Sequence, residues 1–120
     1  MTASPTVQVR RVYAPPAPDD GARVLVDRLW PRGLSKADAA LDEWCKQVAP
    51  SAELRSWFSH DPTRFEEFRD RYTAELEDPE RAAALDHLRD LLASGGLTLL
   101  TATAHPEISQ AAVLAAILRA

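Results

Sequence analysis

Residues 23–33 read Arg-Val-Leu-Val-Asp-Arg-Leu-Trp-Pro-Arg-Gly, and the fold turns on them. Val24, Leu25 and Val26 form a continuous apolar run, not an alternating one. Such a run suits a strand covered on both faces, as in a parallel sheet. The run predicts a strand over residues 23–28, broken by Pro31 and Gly33. It delivers Asp27, Arg28, Trp30 and Arg32 to the strand's carboxyl end. Charged groups and a large aromatic at the mouth of a buried strand are costly to keep dry and unpaired. They must be satisfied by a neighbouring element or by a ligand.

Upstream, Val7, Val9 and Val12 with Arg10 and Arg11 predict a first strand. The Pro-rich stretch 13–21, ending Asp-Asp-Gly, predicts a loop. Downstream, residues 35–48 support two readings. Ser35 and Asp38 resemble a capping box, and Leu41, Trp44 and Val48 fall at helical spacing. Trp44, Lys46 and Val48 also alternate as in a strand. The reading adopted is a short turn near 36–40 and a strand over 42–48.

The second half punctuates itself. Ser51 caps a short helix with Leu54, Trp57 and Phe58 on its buried side. Asp61-Pro62 opens the next helix, whose stripe is Phe65, Phe68, Tyr72 and Leu76. Asp78-Pro79 opens another, with Leu85, Leu88, Leu91 and Leu92 inward, ended by Gly95-Gly96. Residues 97–103 predict a strand. Pro106 opens a last helix with Ile108, Leu114, Ile117 and Leu118 inward. Alternating strands and helices argue for an α/β fold. The expected architecture is a single layered domain over residues 1–120, with a small, mainly parallel sheet of about four strands flanked by helices. Residues 1–5 are expected to fray.

Composition narrows the function. The chain has 120 residues and a formal net charge of −4. The charge is uneven: residues 1–36 hold six Lys or Arg against three Asp, and the remainder is strongly acidic. Duplex nucleic acid, bound through phosphate neutralisation, is a poor partner for such a chain. A local basic site for a small anion remains open. No apolar run approaches the roughly 20 residues of a membrane span. A lone cysteine, Cys45, fits a reducing compartment, so cytoplasmic residence is expected. Three scattered histidines give no metal-ligand pattern, and no glycine-rich phosphate loop or dinucleotide fingerprint is present. The sequence therefore indicates no particular cofactor.

Open parallel sheets bind ligands beyond the carboxyl ends of their strands. Two segments fit that place, Asp27 to Arg32 and Thr101 to His105. Arg28 and Arg32 are candidate anion-binding groups, because guanidinium forks grip carboxylate or phosphate. The alternative is that they clamp the protein's own carboxylates. Trp30 is a candidate stacking surface or a core residue. Thr101, Thr103 and His105 could add donors at a helix start, or cap it. Lys46 and Arg55 are candidate assistants, and His60 is the candidate proton carrier if a reaction occurs. Cys45 reads as a buried thiol without a base.

Together these blocks resemble the YeaO-like proteins of domain-of-unknown-function family 488. Residues 23–33 carry the resemblance, and LDEWCKQVAPS (41–51), LRSWFSHDP (54–62), FRDRYTAEL (68–76) and LTLLTATAHPE (97–107) extend it to about residues 7–118. The resemblance implies a single bacterial cytoplasmic α/β domain and no established catalytic residues. It also implies a departure. Family members carry a basic residue in the turn after the last strand and an Asn-His pair at the next helix start. Here those positions read Thr101-Ala102-Thr103-Ala104-His105 and Ser109-Gln110. Two functions stand. One is a cytoplasmic domain binding a small anionic or planar ligand beside Asp27, Arg28, Trp30 and Arg32, with or without catalysis. The other is a protein-interaction or homodimerisation module built on the same Arg/Trp-rich segment.

Overall fold

The computed structural model describes residues 6–120, so the expected fraying of residues 1–5 lies outside the described residues. Four strands form one parallel sheet: β1 (Val7–Arg11), β2 (Ala22–Leu25), β3 (Glu43–Trp44) and β4 (Leu97–Thr101). Their order across the sheet is β1-β4-β2-β3. The last strand in sequence is thus internal, with Val7 opposite Leu97 on one side and Ala22 opposite Leu97 on the other. All five residues of β4 are buried.

The two faces of the sheet differ. Val7, Val24, Val26, Leu97 and Leu99 pack into one large core. Four helices complete it: α2 (Ala52–Phe58) through Leu54 and Phe58, α3 (Phe65–Glu75) through Phe68 and Tyr72, α4 (Pro79–Gly95) through Leu85 and Leu88, and α5 (Gln110–Arg119) through Leu114 and Leu118. Leu25 and Leu100 point the other way, into a smaller cluster with Val12 and with Ala39 of the one-turn helix α1 (Lys36–Ala39). The unbroken Val24-Leu25-Val26 run is explained by this: both of its faces are covered.

The link from β1 to β2 contains no helix. Residues 12–21 cross β4 on the face opposite the four large helices, where the Thr98 hydroxyl donates to the Asp20 carbonyl at 2.7 Å. The loop end is fixed by a buried ion pair, Arg23 to Asp20, at 2.6 Å. The rest of the Arg23 guanidinium donates to the carbonyls of Ala14, Ala39 and Ala40.

The structure corrects several element limits. The strand expected over 42–48 is only Glu43–Trp44, followed by a 3-10 turn at Lys46–Val48. Trp44 packs with the smaller cluster and Val48 with the large core. A strand would have kept both on one face, so the chain must turn between them. The strand expected over 23–28 pairs only through Leu25, and that over 97–103 only through Thr101. Both stop for one reason: the Ala102 N–H leaves the ladder and donates to the Asp27 carboxylate at 2.8 Å. Pro106 opens a 3-10 turn, Pro106–Ile108, and α5 starts only at Gln110. The Ser109 hydroxyl donates to the Pro106 carbonyl, which closes the turn. Ile108, expected inward, is only half-buried and outside both clusters.

Candidate functional site

The chain leaves β2 toward α1 on one face of the sheet and leaves β4 toward α5 on the other. Adjacent parallel strands whose exits diverge leave a crevice at their carboxyl ends. A cleft of about 730 Å³ opens there. Asp27 and Arg28 line it from the end of β2, Trp30 and Arg32 from the turn beyond. Thr101 and Thr103 line it from the end of β4. Arg55 of α2 and His60 just after that helix close the side.

Asp27 is the junction of these walls. Its Oδ2 accepts from the Ala102 N–H at 2.8 Å, and its Oδ1 accepts from the Gln110 side-chain amide at 2.6 Å. Its own carbonyl accepts from the Trp44 indole at 2.7 Å. One residue therefore ties the ends of β2 and β4 to the start of α5 and to β3. Burial is the largest influence on its carboxyl and raises its pKa. The Ala102, Thr101 and Gln110 hydrogen bonds and the Arg55 charge pull it back without cancelling the rise. Asp27 is thus occupied by the protein itself and faces the cleft as a scaffold.

The arginines are different. Among the described residues neither Arg28 nor Arg32 lies within ion-pair distance of a carboxylate, and both are exposed. The self-clamping alternative for these two finds no partner there. Arg55 is more constrained: its Nε is buried and has no hydrogen-bond partner among the described residues. A buried, unpaired guanidinium N–H is costly unless something occupies the space beside it.

Trp30 is held from behind. Its indole N–H donates to the Leu34 carbonyl at 2.7 Å, and its ring meets Trp44 edge-on at 5.4 Å. It serves the smaller core and lines the cleft at once. Ser59 and His60 both adopt left-handed backbone, with φ of 46° and 56°. Two successive non-glycine residues in that region are uncommon and strained. The reversal brings both onto the cleft wall. His60 stands over Phe58 with ring centroids 6.2 Å apart.

Two sequence candidates lie elsewhere. The Lys46 ammonium sits over the Trp44 ring at 5.2 Å, and Lys46 does not line the cleft. His105 is exposed, 3.6 Å from Glu107, and also outside it. Thr101 and Thr103 do line it, but their hydroxyls also accept backbone N–H groups of the turn, from Thr103 and His105. Sequence reasoning missed Tyr13, Ser56, Ser59, Ser109 and Gln110 on the lining. Ser109-Gln110 had a signal, since it opens the helix after the internal strand. Tyr13 had one too, since it follows the carboxyl end of β1; Ser56 and Ser59 had none, because only tertiary packing brings α2 to this end of the sheet.

Among the described residues no group of three or more His, Cys, Asp or Glu could hold a metal ion. No described helix is long and apolar enough to cross a membrane. Burial, then the nearby Glu43 charge, raises the Cys45 thiol pKa, which suits an unreactive core residue.

The model of a family described as the inactive DUF488-N3 subclade matches residues 6–120. This chain belongs to the YeaO-like DUF488 family. The chain is 52% identical over 118 residues to an uncharacterized protein of Mycobacterium tuberculosis, covering 98% of each chain. A Mycobacterium bovis protein, also named as uncharacterized, is similar to the same degree. The uncharacterized protein YeaO of Escherichia coli is 44% identical over 113 residues, covering 94% of this chain and 96% of that one. No solved structure matches the chain. These matches cover nearly the whole of this DUF488 protein, including both strand ends that form the cleft.

Proposed function

We infer that this protein binds a small anionic ligand in the cleft between the ends of β2 and β4, and does so without transforming it. The observation that carries the reading is the buried, unpartnered Nε of Arg55 on the cleft wall. Arg28 and Arg32, without carboxylate partners among the described residues, line the same cleft. The non-catalytic half draws on two further points. Among the described residues no carboxylate hydrogen-bonds His60 to fix its orientation, which favours binding over general-base chemistry. The family description also carries the word inactive. The lone, buried Cys45 supports cytoplasmic residence.

The test is a thermal melt of the full chain with phosphorylated and carboxylated metabolites. A ligand that binds only the folded state stabilises it by mass action, about 2.7 kcal/mol at one hundred times its Kd. The expected outcome is a raised Tm that shrinks in Arg32→Ala. If no anion moves the melt, or if Arg32→Ala leaves the shift intact, the reading fails.

One observation favours a second reading. Leu29, between Arg28 and Trp30, is 68% exposed on the cleft rim. An apolar side chain beside Arg and Trp is typical of a protein-docking surface. Under that reading the chain self-associates or captures a partner in gel filtration, and Leu29→Asp abolishes it.

A further inference from the structure

We propose that the occupant of this cleft is a phosphate monoester, with a dianionic head on a planar or apolar body. The inference rests on the anion-binding reading and goes beyond it in ligand class. Among the described residues three arginines line the cleft against one aspartate, an excess of two formal positive charges from these four side chains. Asp27 forms no direct ion pair with these arginines among the described residues: its oxygens accept from Ala102 and Gln110, and Arg55 acts on it only through its charge. A monocarboxylate balances one of the two charges. A phosphate monoester, whose second ionisation lies at about 6, balances both at neutral pH.

Donor count points the same way. One guanidinium fork already satisfies both oxygens of a carboxylate. A carboxylate offers two oxygens to the three guanidinium groups, whereas a monoester offers three terminal oxygens, each able to accept more than once. Ser56 and Ser59 add hydroxyls to the same lining. The volume and the remaining walls describe the body of the ligand. About 730 Å³ far exceeds a lone phosphate and falls among sites for small organic ligands. Leu29, Trp30, Pro31 and Phe58 give that volume an apolar and aromatic side.

Titration calorimetry on the full chain at neutral pH tests this with four probes: phenyl phosphate, methyl phenyl phosphate, benzoate and inorganic phosphate. Phenyl phosphate is expected to bind at least ~10-fold more tightly than either organic monoanion, the value of one extra charge-assisted hydrogen bond. Arg55→Gln and Arg32→Gln should each weaken phenyl phosphate by ~10- to 100-fold and benzoate by less. Arg32 is exposed, so that variant keeps the test valid should Arg55→Gln fail to fold. Equal binding of benzoate, methyl phenyl phosphate and phenyl phosphate would overturn the dianion inference and leave the anion site standing. Inorganic phosphate binding as tightly as phenyl phosphate would overturn the organic body. Binding of none of the four would remove both readings.

Discussion

Asp20 and Asp27 flank the same strand and respond to burial in opposite ways. For Asp20 burial is the largest influence and opposes ionisation. The Ala17 N–H, the Arg23 fork and the Arg10 charge outweigh it and hold the carboxyl below its usual value. Its contribution to stability is therefore present above 3.8, the ordinary value, and is lost as pH falls through the lower folded value. For Asp27 burial wins and the value rises, so its ionisation opposes folding as pH climbs from 3.8 through the raised value. In urea melts across the acid range, Asp20→Asn should flatten the acid-side loss of stability. Asp27→Asn should remove the opposing slope just above 3.8. Removing the partner is harsher: Arg23→Ala takes away the buried 2.6 Å partner of Asp20 and leaves only the longer Arg10 contact at 3.7 Å, and should cost about 3 kcal/mol. Gly21 is the other decisive residue. At φ +64°, a Cβ there would lie 2.4 Å from the Gly96 carbonyl oxygen, where the two turns meet backbone to backbone. Gly21→Ala should cost at least about 1–3 kcal/mol in the same melts. The Asp-Asp-Gly turn was legible in the sequence. That Asp20 would be buried against Arg23 was not, because the partner of a charge is fixed only by what packs above it.

At the scale of elements, caps and stripes read well, and the strands were placed but their ends were not. Ser51 accepts from the Leu54 N–H as expected of an N-cap, and Asp61 accepts from Thr63. The stripe Phe68, Tyr72 and Leu76 is buried where helical spacing puts it. Ser51 does more than its position suggested, because its N–H and hydroxyl both donate to Glu75 of α3. Ser51→Ala should lower stability by about 0.5–2 kcal/mol, seen as a lower urea midpoint at unchanged slope. Trp57 was expected on the buried side of α2. It is half-buried, covered by the guanidinium groups of Arg64 and Arg71 at 5.5 and 4.3 Å from its ring. The strand expected over 42–48 shrank to Glu43–Trp44, because alternation over so few residues says little about where a strand ends. The apolar residues around it serve opposite faces of the sheet, which no single period can express.

At the scale of the whole molecule, the internal place of β4 decides the rest. It sets the ends of β2 and β4 side by side with diverging exits, and so makes the cleft. Asp27 holds that junction through Ala102 and Gln110, residues remote from it in sequence. Asp27→Ala should free the Ala102 N–H and speed its hydrogen exchange far more than that of Leu99 or Leu100 within the sheet. The sequence by itself determined the fold class, the family and the elements with long periodic stripes, since these rest on local spacing and on a nearly full-length pattern. It also marked Asp27, Arg28, Trp30 and Arg32 as groups in need of partners. Only the tertiary structure divided them. Asp27 and Trp30 are satisfied by the protein's own backbone and side chains, while Arg28 and Arg32 have no carboxylate partner among the described residues. Arg55 joins them from a helix distant in sequence. That division depends on which strand lies beside β2, and strand order is set by long-range packing that no local pattern records.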